Sequence, residues 1–161
     1  MSTVLAQHAS FTIDRSFDAP VARVYAAFAT EEGKKRWFSG PNEKWELVRR
    51  EFDFRVGGRE HLSGRWRAGM APRADFSVSS FDAFYFDIVP ERRIVYAYDM
   101  HLDERHISVS LATLEFSAAG KGTQLKLTEQ GAYLDGYDDA GSRERGTREL
   151  MERLAASLGS H

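Results

Sequence analysis

Ser142-Arg-Glu-Arg-Gly-Thr-Arg-Glu-Leu-Met-Glu-Arg-Leu-Ala-Ala-Ser-Leu158 is the only long segment of the chain with a clear helical period. Leu150, Met151, Leu154, Ala155 and Leu158 recur at three-and-four spacing along one face, and Arg143, Arg145, Glu149, Glu152 and Arg153 fall on the other. The apolar face needs an apolar partner. Nearly everything between Phe11 and Gly131 has the alternation and the aromatic content of strands, so that partner is a sheet and the helix covers one of its faces.

Working outward, Phe11 to Phe17 alternates apolar and polar side chains, the period of a half-buried strand. Asp18-Ala-Pro20 turns the chain into a helix, with Asp18 near its cap and Val21, Val24, Tyr25 and Phe28 at helical spacing. Thr30, followed by Glu31 and Glu32, starts a second short helix ending near Trp37. Six further strands are read at Trp45 to Val56, Arg59 to Trp66, Asp75 to Val89, Arg93 to Leu102, Arg105 to Ser117 and Thr123 to Gly131. Gly57-Gly58 supplies the positive φ of a hairpin turn; it is not a phosphate loop, since no Lys-Ser/Thr or helix follows.

Hairpin register follows from matching inward residues. A tight turn at Leu102 to Arg105 sets His101 opposite His106, Met100 opposite Ile107, Tyr98 opposite Val109 and Tyr96 opposite Leu111. Beyond Leu111 the apolar parity moves to Ala112, Leu114 and Phe116, which predicts a bulge near Ala112 or Thr113. The next hairpin sets Phe116 opposite Leu125, Leu114 opposite Leu127 and Ala112 opposite Glu129, so a carboxylate lands on the inner face. The expected architecture is α+β: a bent seven-stranded antiparallel sheet wrapped around a long C-terminal helix, with two short helices after the first strand. Residues 1–10 read as an N-terminal tail and 11–161 as one domain.

The chain has 161 residues, 42% hydrophobic and 12% aromatic, enough for one core burying roughly two-thirds of its unfolded surface. Zero cysteines exclude thiol catalysis and Cys-ligated zinc, and suit a reducing cytoplasm. No apolar run has signal-peptide or membrane-spanning length, so a cytoplasmic protein without a membrane is expected. The 22 basic and 24 acidic side chains are mixed along the chain, leaving no basic stripe for nucleic acid.

Several motifs place the chain beside a known group. Arg15-x-Phe17-x-Ala19-Pro20-x-x-x-Val24, Trp37, Asp53-x-Arg55-Val56-Gly57-Gly58, Ile88-x-Pro90-x-Arg92-Arg93-Ile94-Val95, and Gly122-Thr123-x-Leu125-x-Leu127-Thr128 with Gly131 resemble the SRPBCC, or START-like helix-grip, superfamily. Within it they resemble the subfamily of homologues of the activator of the 90-kDa heat-shock protein ATPase. The resemblance covers about residues 11 to 158 and implies the helix-grip fold; its motifs are turns and core positions and specify little chemistry. Gly-Trp is common near the start of that group's last helix, whereas here Gly146 is followed by Thr147, which points to a roomier pocket or a different ligand.

A bent sheet gripping a helix leaves space that side chains do not fill, and polar-tipped aromatics suit the wall of a ligand cavity. The expected ligand-binding residues are Trp37, Trp45, Phe54, Trp66, Phe76, Phe84, Tyr96, Tyr98, Glu129 and Tyr133, with Leu150, Met151 and Leu154 from the helix; Phe86 and Phe116 belong to the same aromatic set. Glu129 needs water, a partner such as Tyr133 or an arginine, or a raised pKa, and the last would make it a general acid or base. His101 and His106 lack a defined third ligand, and Asp135, Asp138 and Asp139 lack EF-hand order, so no metal is expected, and no cofactor. The first functional reading is binding of a small apolar or aromatic ligand. The alternatives are a co-chaperone partnering a heat-shock chaperone, implied by the resemblance, and a cyclase or isomerase using Glu129. A homodimer is a further candidate assembly.

Overall fold

The computed structural model describes residues 5–39 and 43–159. The elements run β1 (Ala6–Phe17), α1 (Val21–Ala29), α2 (Glu31–Lys35), β2 (Trp45–Phe52), β3 (Arg59–Trp66), β4 (Val78–Val89), β5 (Arg93–Leu102), β6 (Arg105–Ala119), β7 (Gly122–Leu134) and α3 (Ala140–Gly159). All seven strands join one antiparallel sheet in the order β1-β7-β6-β5-β4-β3-β2. β2 to β7 form a meander, and β1 returns beside β7. This is the α+β helix-grip architecture expected above. Of the expected tail, residues 6–10 instead belong to β1, where Ala6 pairs with Leu134 and Ser10 with Gln130; residues 1–4 lie outside the described residues.

Pro20, not Asp18, is the N-cap of α1, and its carbonyl accepts from the backbone N–H groups of Arg23 and Val24. Thr30 caps α2 through a bond from Gly33 N to Thr30 Oγ1 of 3.1 Å. α3 is capped by Asp139, whose Oδ1 accepts from Ser142 N at 2.8 Å. Arginines moor the far half of α3: Arg15 pairs with Glu152 at 2.5 Å, and Arg23 donates to the Leu158 carbonyl. Arg153 donates to the Ser39 carbonyl at 2.8 Å, tying the helix to the segment after α2. Met151 and Leu154 pack into the main core with Ile13, Phe28, Trp37, Leu125 and Leu127.

The β6–β7 register is as expected, with Ala112 opposite Glu129 and Phe116 opposite Leu125. The β5–β6 register differs. His101 does face His106, but Met100 faces Ser108, Tyr98 faces Ser110 and Tyr96 faces Ala112, so the bulge sits at Ile107 rather than at Ala112 or Thr113. Ile107 joins Phe76 and Leu102 in a small buried cluster, Ser108 and Ser110 face inward, and Val109 and Leu111 turn outward with 44% and 39% of their surface exposed. Two apolar residues on the outer face mimic inward parity, which is why alternation alone misplaces the bulge.

Candidate functional site: an aromatic cavity with a buried ionic end

Between the inner face of β2 to β5 and β7, the segment around α2, and α3 lies a cavity of about 360 Å³. Trp37, Phe38, Trp45, Trp66, Phe81, Tyr96 and Tyr98 supply most of its wall, and Thr147, Leu150 and Met151 form its helical side. Polar tips of the larger rings are tied back into the fold: Trp37 Nε1 donates to the Ala27 carbonyl at 2.9 Å, and Trp66 Nε1 to Ser79 Oγ at 3.0 Å. Gly64 explains the position of Trp45. A Cβ there would lie 1.8 Å from Trp45 Cε2, so only glycine lets the indole lie against β3.

One end of the cavity is ionic. Glu129 on β7 is buried, and Tyr98 Oη donates to its Oε2 at 2.8 Å. Arg143, in the first turn of α3, donates from Nη1 to Tyr98 Oη at 3.1 Å and lies 3.9 Å from Glu129 Oε2; its Nη2 donates to Ser108 Oγ at 2.8 Å and Asp138 Oδ2 at 3.0 Å. Burial raises the Glu129 pKa, against the opposing pull of the Tyr98 hydrogen bond and the Arg143 charge. Burial also disfavours the Arg143 charge, but Tyr98, Asp138 and Glu129 outweigh it and raise its pKa. Burial pushes Tyr133 up to about 12, with Arg143 opposing. The guanidinium thus spans two carboxylates and two aromatic rings, those of Tyr98 and Tyr133.

At the α2 side, Lys34 lines the cavity and is itself buried. Its Nζ lies 3.0 Å from Glu60 Oε1, which also accepts from Tyr85 Oη at 2.6 Å, and it sits 4.8 Å from the centre of the Phe38 ring. The cavity therefore has an apolar middle between two buried ionic clusters, a layout that accepts a mostly apolar molecule and offers it polar contacts at its ends.

A family model, described as Activator of Hsp90 ATPase homolog 1-like protein, matches residues 18–159. The chain belongs to this family. As an Activator of Hsp90 ATPase homolog 1-like protein it is similar to two solved structures at 40% identity. One is the Mll3558 protein from Rhizobium loti (TM-score 0.81, covering 94% of this chain and 98% of that one). The other is a protein from Rhizobium leguminosarum (TM-score 0.85, covering 97% of each). CalU16 from Micromonospora echinospora, 18% identical, shares the fold at a TM-score of 0.65 over 99% of this chain and 88% of its own. No curated protein matches.

In this family member, Trp37, Trp45, Trp66, Tyr96, Tyr98, Glu129, Leu150 and Met151 of the expected set line the cavity, and Phe54, Phe76, Phe84, Tyr133 and Leu154 do not. Phe54 packs beyond the wall against Tyr25 and Tyr85, and Phe76 belongs to the Ile107 cluster. Phe84 lies on the outer face beside Phe86 with Arg59 over its ring. Leu154 is fully enclosed in the main core with Phe116, and Tyr133 stacks behind Arg143. Arg143, Lys34 and Glu60 were not anticipated. Extending the helical period back from Leu150 and Met151 through Thr147 reaches Arg143, which would have moved it from the solvent face to the cavity; Lys34 and Glu60 carry no comparable signal, because their pairing is made by tertiary approach of α2 to β3.

Proposed function

We propose that the chain binds a small, mostly apolar or aromatic molecule carrying a polar group, with its apolar body between Trp45, Trp66 and Met151 and its polar end toward Tyr98, Arg143 and Glu129. The observation that carries this reading is the cavity of about 360 Å³ with an aromatic wall and a buried ionic end. Its volume lies within the range of small-molecule sites, toward the small side. Tyr96 supports the same reading: it lines the cavity, and its hydroxyl makes no hydrogen bond among the described residues. The test is native mass spectrometry and thermal shift against fatty acids, aromatic acids and polyketide-like compounds. A ligand at about 100 times its Kd stabilises the fold by about 2.7 kcal/mol. Thr147→Trp, which fills the helical side, is expected to abolish the shift while the variant stays folded; a hit that binds Thr147→Trp unchanged would place binding elsewhere and sink the reading.

A second, catalytic reading is favoured by one feature, the burial that raises the Glu129 pKa inside the cavity. Glu129 would serve as a general base toward a bound carbonyl compound, with Tyr98 and Arg143 facing the developing oxyanion. Glu129→Gln is then expected to lower turnover by about 100-fold with binding kept. Equal turnover in the variant removes it.

A further inference from the structure

A polar cluster lies beside the Ile107 bulge, on the opposite face of the sheet. Asp99 and His101 stand two residues apart on β5, and so share a face. His106 on β6 pairs directly with His101 before the bulge shifts the register. The three project outward, away from the cavity, and their ligand atoms all lie within 4.8 Å of one another.

The two imidazoles stack with ring centres 4.4 Å apart and planes 5° from parallel, and neither makes a hydrogen bond among the described residues. His106 Nε2 lies 3.2 Å from Asp99 Oδ2, close enough for an ion pair when the ring is protonated, yet this solvent-shielded nitrogen makes no hydrogen bond among the described residues. Neighbouring carboxylates are engaged elsewhere: Asp103 accepts from the backbone N–H groups of Ser77 and Val78, and Asp82 holds His61 at 2.6 Å. Two imidazoles and one carboxylate converge at one spot, with one shielded ring nitrogen lacking a hydrogen bond, which is more than a polar turn requires.

We propose that Asp99, His101 and His106 bind one divalent transition-metal ion on the outer face of the sheet. Imidazole nitrogen with one carboxylate selects ions of the zinc, nickel and copper group over magnesium or calcium, which prefer oxygen shells. Ligand bonds of about 2.0–2.1 Å bring tetrahedral ligands to about 3.4 Å from one another, so the present spread closes by side-chain rotation at three partly exposed residues. Water completes the coordination. Arg105, adjacent in sequence, is committed to Asp75 at 2.9 Å and leaves the spot to the ion.

The experiment is equilibrium dialysis and calorimetry of the untagged, metal-stripped chain with Zn2+, repeated with Co2+ so that visible absorption reports the ligand field. One ion per chain is expected, with binding weakened by about tenfold or more in His101→Ala and in His106→Ala. Asp14→Asn, at an exposed carboxylate on β1 away from the cluster, keeps full affinity. Absence of stoichiometric binding in the wild-type chain overturns the proposal, as does affinity that survives both histidine substitutions. The Co2+ spectrum of the wild-type chain decides the matter even if a variant folds poorly: bands of nitrogen-ligated cobalt support the site, and a spectrum of hydrated cobalt refutes it.

Discussion

Glu129 and Arg143 carry most of the residue-scale chemistry. Burial raises the folded-state pKa of Glu129 above its ordinary value of 4.5. The folded chain therefore holds a proton where the unfolded chain has released it, and stability contributed at this position falls as pH rises from the ordinary value through the raised one. Glutamine does not titrate. Urea melts at stepped pH should show the wild type gaining stability relative to Glu129→Gln as pH is lowered from neutral; a difference constant with pH contradicts the raised value. Arg143→Leu leaves Glu129 and Asp138 without their cation, and such a loss at a buried pair costs about 3–5 kcal/mol. In a double-mutant cycle with Glu129→Gln the two losses should fall short of additivity by about 0.5–3 kcal/mol. Glu129 was legible because a two-residue period and a counted hairpin placed it inward. Arg143 was legible only in its position, on the four-residue spacing through Thr147 and Met151, and not in its role, because a charged side chain at a helix start reads as solvated until a buried acceptor for it is known.

At the scale of elements, the β2–β3 hairpin shows how little separates a cavity wall from a clash. Gly57, with φ of 85°, makes the turn, and Gly64 makes room for the Trp45 indole. Gly64→Ala forces that ring off the strand and is expected to cost about 1–3 kcal/mol by urea unfolding, with a shifted tryptophan emission. Unchanged stability and emission would mean that the indole does not rest on β3. Strand positions, the order of the meander and the long helix were readable from alternation and turn residues, since each hairpin joins neighbours in sequence. The bulge was not: Val109 and Leu111 lie outward on the sheet yet are as apolar as core residues, while the inward Ser108 accepts from Arg143 and the inward Ser110 stands opposite Tyr98, partners absent from any local window.

At the scale of the whole molecule, the fold and the family were within reach of the sequence because they rest on core periodicity and turn motifs. The cavity's two ionic ends were not, because each joins elements far apart in the chain. No helix among the described residues is long and apolar enough to cross a membrane. The mooring of α3 is uneven. Its far half is held by Arg15, Arg23 and the enclosed Leu154, while its near half stands over the cavity with Arg143 as its main tether, following a loop in which Asp135 and Gly136 both have positive φ. Such a helix is expected to fray first from its amino end. Amides of residues 143–148 are expected to exchange with deuterium before those of 151–157, and Arg143→Leu to widen the gap; uniform exchange along α3 would contradict it. If the ligand proposed above enters past this turn, its melting, with a threshold set by one guanidinium, would be the slow step, and entry would then proceed at a rate independent of ligand concentration.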